Sequence, residues 1–148
     1  MFDANKFGSL GMGGMIAPPH ETFPQIVVNT PMPSPLPSGK QDRKNLPMAA
    51  GLLDYFPAAL AAVAHVSKIG NDQHNPGQPM HHARGKSMDH ADCIIRHLIE
   101  RGTVDDAGTP QEALHSAKLA WRALALLQEE LEAAGAPLAR GARIYLGG

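Results

Sequence analysis

The stretch TPQEALHSAKLAWRALALLQEELEAAG, residues 109–135, decides the fold. Thr109 is a preferred N-cap, and Pro110 suits the first helical position, where a backbone N–H would have no partner anyway. Glu112 completes a capping box and Gly135 supplies the stop. Ala113, Leu114, Ala117, Ala120, Trp121, Leu124, Leu127 and Leu131 recur at helical spacing, and Leu119 and Leu126 widen the stripe. A helix apolar over so wide an arc belongs at the centre of a bundle, so the spacing predicts one long helix from Thr109 to Gly135, packed on by others.

The neighbouring segments supply those others. In GKSMDHADCIIRHLIERG (85–102), Ser87 is a good N-cap, Asp89 sits in the first turn where it suits the helix dipole, and Gly102 ends the helix. TVDDAG (103–108) then forms a turn. PMAAGLLDYF (47–56) predicts a short helix, and Pro57 restarts the chain into PAALAAVAHVSKIG (57–70), with Lys68 in the last turn and Gly70 as cap. Between Gly70 and Ser87 lies NDQHNPGQPMHHARGK, a polar loop of 16 residues, long enough in a compact domain to suggest function. No strand pattern appears in this body. The expected fold is therefore all-α, a bundle of about four helices over residues 45–135, with a tail at 136–148.

Residues 1–44 read differently. They are rich in Gly, Pro, Ser and Met, and PMPSPLPSG (31–39) favours extended or polyproline-like backbone. This is an extended Pro/Gly-rich N-terminal arm, flexible or partner-bound. FPQIVVNT (23–30) could add a strand to a partner.

Composition bounds the function. With 148 residues and 43% hydrophobic content the chain can build one core, but at 5% aromatic that core is mostly aliphatic. Thirteen basic residues against 14 acidic give no global pull toward nucleic acid or an anionic membrane. One cysteine, Cys93, excludes an internal disulfide framework and fits a reducing compartment. No apolar run approaches the roughly 20 residues of a membrane span, and no basic region precedes an apolar stretch at the N-terminus, so neither membrane nor signal peptide is expected. A cytoplasmic protein is the expectation.

The chemistry gathers on two helices. Asp89, Asp92 and Arg96 share a face at i, i+3, i+7; two carboxylates so placed can hold a hard divalent cation, and Arg96 can reach a phosphate. An ordinary Asp92–Arg96 surface pair fits the same spacing. The preceding loop carries His74, His81, His82, Arg84 and Lys86. The long helix carries His115, Lys118 and Arg122, also at i, i+3, i+7 among apolar neighbours, where polar groups need partners. The two helices could face each other, acids against bases, as a site or as a plain ion-pair layer. His65 on the Ala-rich helix reads as a core or boundary histidine. The paired Cys/His spacing of zinc modules, an adjacent His-Asp pair, and a Gly-rich phosphate loop are all missing.

Taken together, GNDQHNPGQP (70–79), KSMDHADCIIRHL (86–98) and HSAKLAWRALALLQEELE (115–132), with LLDYFPAALAAVAHVSKIG (52–70) upstream, closely resemble the phage-encoded dATP/dGTP diphosphohydrolase N-terminal domain family. The resemblance covers roughly residues 44 to 132. It implies hydrolysis of purine deoxynucleoside triphosphates to monophosphate and pyrophosphate, in the host cytoplasm if phage-encoded. The wider all-α pyrophosphohydrolases hold Mg²⁺ on an E-x-x-E and an E-x-x-D helix; here Asp89 and Asp92 stand in the first place, but His115 and Lys118 in the second. The resulting expectation is Mg²⁺ or Mn²⁺ on Asp89 and Asp92, with Arg84, Lys86, Arg96 and Lys118 on phosphate. Asn71, Asp72 and His74 would contact the nucleotide, and His97 or His115 would act as general base. The competing expectation is a non-catalytic phage virion or accessory protein that uses the helical domain as a binding module. Its small core and Ala-rich segment 58–66 also predict a homo-oligomer.

Overall fold

The computed structural model describes residues 34–144. The candidate strand at 23–30 and most of the Pro/Gly-rich arm lie outside them. The described chain is mostly helical. Its elements are α1 (Lys40–Lys44), a π-helical turn (Ala49–Leu53), α2 (Pro57–His74), β1 (His82–Arg84), α3 (His90–Ile99), β2 (Val104–Asp105), β3 (Ala113–Leu114), α4 (His115–Ala133) and β4 (Ala142–Ile144).

The helices form for the reasons read from sequence, with shifted ends. Pro57 opens α2, as its missing N–H allows. Gly70 does not stop that helix, which runs one turn further to His74, held by a Lys68–Asp72 pair of 2.6 Å across one turn. Asn71 is thus helical and buried, and its side chain caps the next loop: Nδ2 donates to the Gln78 carbonyl at 3.1 Å, and Oδ1 accepts from His81 N–H at 3.4 Å. The α3 helix begins at His90 after Asp89, two residues later than Ser87 predicts, because the Ser87 hydroxyl donates to Asp89 Oδ1 (2.8 Å) instead of capping.

The start of α4 is a larger correction. Thr109, Pro110 and Glu112 form a tight turn in place of a helical start, and α4 begins at His115. The capping groups act inside that turn: Thr109 Oγ1 accepts from Gln111 N–H (3.1 Å), and Glu112 reaches back to Gly108 N–H (2.7 Å). Ala113 and Leu114 then pair antiparallel with Val104 and Asp105.

Strands are the second correction. β1 lies parallel to β4, His82 opposite Ala142 and Arg84 opposite Ile144, so part of the polar loop and part of the expected tail join in a small sheet. Strands of two or three residues are too short to carry a period-2 pattern, which is why none was legible.

The third correction concerns which face of α4 is buried. Leu114, Leu124, Leu127 and Leu131 are each about half exposed, while Ala117 and Ala125 are buried together with His115. The face turned to α3 carries His115, Arg122 and Glu129, and Lys118 beside it reaches Asp105 of β2. Against α2, Trp121 Nε1 donates to Ser67 Oγ at 2.8 Å. The buried apolar core among described residues is small: Ile69, Cys93, Ala113, Ala117, Ala125 and Ala142. His65 is exposed, not a core residue. No single described helix is long and apolar enough to cross a membrane.

Candidate functional site

Helices α3 and α4 run antiparallel along a seam, and simple spacing brings its residues together. His90 and His97 are seven apart, as are His115, Arg122 and Glu129. A seven-residue step returns a helix to nearly the same face. Both sets therefore point inward, and the seam is polar where a small domain would normally be apolar.

At one end His97, Glu100 and His115 converge. His97 Nδ1 and His115 Nδ1 are 3.0 Å apart, so one ring donates and the other accepts, and His115 Nδ1 lies 3.2 Å from Glu100 Oε2. His115 is buried. Burial, helped by the neighbouring His115 and Lys118, holds the His97 imidazole below its ordinary pKa, so His97 is neutral at pH 7 with a lone pair to offer. Beside them the Lys118 ammonium donates to Asp105 (2.7 Å) and Asp106 (3.4 Å). Asp106 adopts a left-handed backbone (φ 54°), which Asp tolerates. Lys118 in turn keeps Asp105 below the usual carboxylate range.

At the other end His82, His90 and Glu129 converge. His90 Nε2 is 3.4 Å from Glu129 Oε2, and His82 Nε2 is 3.8 Å from Glu129 Oε1. His82 packs edge-on to Trp121, and burial followed by Arg84 lowers its pKa. Arg84 contacts His82 and forms a two-point pair with Glu132 at 2.8 and 3.1 Å. Glu129 also lines a groove of about 360 Å³ with Arg84, Gly85, Met88, Glu132, Leu138 and Ile144. A second hollow of about 230 Å³, lined by Ala62, His65, Val104 and Leu114 among others, lies between α2 and β3.

The sequence-derived site residues distribute as follows. His97 and His115 meet, and Lys118 is their neighbour. The Asp89 carboxylate is engaged by the Ser87 hydroxyl (2.8 Å), the Cys93 thiol (3.3 Å) and the Arg96 guanidinium (3.2 Å), which together hold it far below the usual carboxylate range. Arg96 thus pairs with Asp89, not with Asp92. Asp92 is exposed, and among described residues neither aspartate joins a group of three potential metal ligands. Arg84 is committed to Glu132. Lys86 and His74 are exposed, Asp72 is paired with Lys68, and Asn71 is occupied as a loop clamp. Sequence reasoning missed Glu100, His90 and Glu129 and listed His82 only as a loop residue. The heptad spacing of His90 with His97, and of His115 with Glu129, was the available signal.

Two imidazoles and a carboxylate at each end form a donor set for a first-row divalent ion. Of the two ions expected from sequence, such nitrogen-rich sets suit Mn²⁺ better than Mg²⁺, which prefers oxygen. Comparison with family models, curated proteins and solved structures finds no match.

Proposed function

We propose that this chain is a metal-dependent hydrolase of purine deoxynucleoside triphosphates, dATP and dGTP, releasing monophosphate and pyrophosphate. The observation that carries the reading is the convergence of His97 and the exposed Glu100 on the buried His115, whose Nδ1 is 3.0 Å from His97 Nδ1 and 3.2 Å from Glu100 Oε2. The substrate class comes from the sequence resemblance.

The two imidazoles and Glu100 would hold the divalent ion, Mn²⁺ in preference to Mg²⁺. Such an ion supplies a water of lowered pKa and polarises a phosphate oxygen. His97, kept neutral, has a lone pair ready for the ion, and the proton of the attacking water would pass to solvent. Water adds to the α-phosphorus, the bond from that phosphorus to the bridging oxygen breaks, and pyrophosphate leaves. Lys118 opposes the charge developing on the phosphates while Asp105 and Asp106 fix its position. Exposed Lys86 would be a further phosphate contact, and Arg96 would become one on leaving Asp89.

The protein acts as a homo-oligomer in this reading. Leu124, Leu127 and Leu131 fall at i, i+3, i+7 on α4 and lie half exposed, a seam that a second copy would cover.

The test is pyrophosphate release from a panel of nucleoside triphosphates with Mn²⁺ or Mg²⁺, in wild type and in Glu100→Gln. Turnover of dATP or dGTP that falls at least about 100-fold in the variant supports the reading. No turnover with any triphosphate, together with the protein's presence in purified particles by mass spectrometry, supports the virion or accessory role instead.

A further inference from the structure

We infer that His82, His90 and Glu129 form a second binding site, for a divalent transition-metal ion of the zinc class, which ties β1, α3 and α4 together. The inference does not depend on the hydrolytic reading.

Geometry comes first. The three ligand atoms lie within 4.8 Å of one another, with Nε2–carboxylate separations of 3.4 and 3.8 Å. Ligands bound tetrahedrally at about 2.0–2.1 Å sit roughly 3.3 Å apart, so closing around an ion needs only small side-chain shifts. Two imidazoles with one carboxylate select zinc, cobalt or nickel over magnesium or calcium.

Burial is the second, independent observation. His90 is 4% exposed, and its Nε2 has no hydrogen-bond partner; Glu129 Oε1 is also buried without one. Buried polar atoms are nearly always paired, and these two unpaired atoms belong to the same cluster. An ion at its centre satisfies both.

The surrounding arginines permit it. An imidazole that ligates through Nε2 carries its proton on Nδ1, yet Arg122 Nη1 lies 3.4 Å from His90 Nδ1, and Arg84 contacts His82 Nδ1. Both guanidiniums already have better acceptors: Arg122 donates to Ser87 Oγ at 2.9 Å, and Arg84 to Glu132 at 2.8 Å. Metal entry leaves Arg122 on its Ser87 bond and Arg84 anchored to Glu132 through Nε and Nη2, and the Arg84 Nη1 that gives up His82 lies 4.0 Å from Glu129 Oε1.

This site is not the second half of a two-metal hydrolytic centre. His90 and His97 are seven residues apart on α3, a rise of about 10.5 Å, whereas paired catalytic metals sit about 3.5–4 Å apart. Its role is to staple. The chain's buried apolar core is small, and an ion that binds the folded chain and not the unfolded one adds its binding free energy to stability. With three protein ligands, water fills the fourth position.

The experiment uses the untagged full chain, stripped of metal, and titrates it with Co²⁺ while the visible d–d absorption is read; thermal melting is followed with and without Zn²⁺. The site predicts Co²⁺ binding, displacement of Co²⁺ by Zn²⁺, and a melting temperature raised by Zn²⁺ and lowered again by a chelator. Glu129→Gln and His82→Asn each remove one equivalent of Co²⁺ and abolish that part of the Zn²⁺-dependent melting shift. His90→Ala does the same where it folds; the first two variants decide the matter because Gln is isosteric with Glu and Asn keeps a polar group near the Nδ1 position of the half-buried His82. Unchanged Co²⁺ stoichiometry in Glu129→Gln and His82→Asn, or a wild-type chain that neither binds Co²⁺ nor melts higher with Zn²⁺, overturns the proposal and leaves a plain imidazole–carboxylate pair.

Discussion

Replacing Glu132 with Ala is expected to destabilise the domain by about 3 kcal/mol at pH 7. Glu132 sits near the end of α4, with its side chain 11% exposed, and gathers four donors. Arg84 of β1 binds it through Nε (2.8 Å) and Nη2 (3.1 Å), Gln128 through Nε2 (2.9 Å), and Ala139 through its backbone N–H (2.9 Å). One carboxylate thus joins the parallel sheet, the last helix and the segment leading into β4. A hydrogen bond to a charged group contributes about 1.5–3 kcal/mol, and removing one member of a buried pair leaves the other unsatisfied at a cost of about 3–5 kcal/mol. Partial solvent access at the helix end argues for the lower part of that range. For a domain of about 100 residues, such a loss lowers the melting temperature by about 12–24 °C.

The same contacts make a pH prediction with a definite sign. Arg84 and the other donors push the Glu132 carboxyl from 4.5 down to about 2. A depressed carboxyl stabilises the fold above its unfolded pKa and loses that contribution as pH falls through the folded one. The full shift corresponds to at most about 3.4 kcal/mol, and solvent screening reduces it to about 2. Wild type should therefore lose about 2 kcal/mol between pH 5 and pH 2 through this group, and Glu132→Gln should show a flatter dependence. Urea denaturation followed by far-UV circular dichroism at pH 7, 5, 4, 3 and 2 measures both effects. A Glu132→Ala protein within about 0.5 kcal/mol of wild type at pH 7, or an unchanged pH slope in Glu132→Gln, would refute the hub role.

Three further outcomes follow from the same geometry. Because His97 is held below the ordinary imidazole pKa and must be neutral to work, the acid limb of turnover should have its midpoint below the ordinary imidazole value; an acid limb centred at or above pH 7 in kcat contradicts this. Asp89→Asn with Asp92→Asn distinguishes the two metal placements: turnover within about 3-fold of wild type is expected if the ion sits on the histidines, and its abolition with helicity intact would return the ion to the aspartates. Leu124→Glu with Leu131→Glu should convert a dimer or larger species into monomer by light scattering, and a wild-type chain already monomeric at tens of micromolar would remove the basis for the oligomer.

The helical character was legible because Pro57, the Ala-rich run after it and the leucines of α4 carry helical period without help from distant residues. Local signals failed where tertiary contacts outweighed them. Thr109, Pro110 and Glu112 offer the same hydrogen bonds to a turn as to a helix end, and pairing of Ala113 with Asp105 decided for the turn. Gly70 is a good stop, but the Asn71 clamp and the Lys68–Asp72 pair carry the helix through it. The candidate site was half legible. His97 and His115 were singled out on separate helices, and their meeting depends only on antiparallel packing. Glu129 was overlooked because the leucine stripe drew attention away from the polar face of α4, and His90 and Glu100 because they lie at the two ends of α3, outside the Asp89–Asp92–Arg96 face. That stripe is the apolar one, yet the face against α3 is polar, an inversion of the ordinary amphipathic rule that a second copy would explain.

The most direct test of the central claim is ³¹P NMR of dATP and dGTP after incubation with Mn²⁺ and the full chain, the ion being removed by chelating resin before the spectrum is recorded, wild type beside His97→Ala and His115→Ala. The account predicts that the α, β and γ resonances of the triphosphate give way to those of monophosphate and pyrophosphate in wild type, and that either substitution slows this at least about 100-fold. Loss of the γ-phosphate alone as inorganic phosphate, or undiminished pyrophosphate release from both variants, would contradict it.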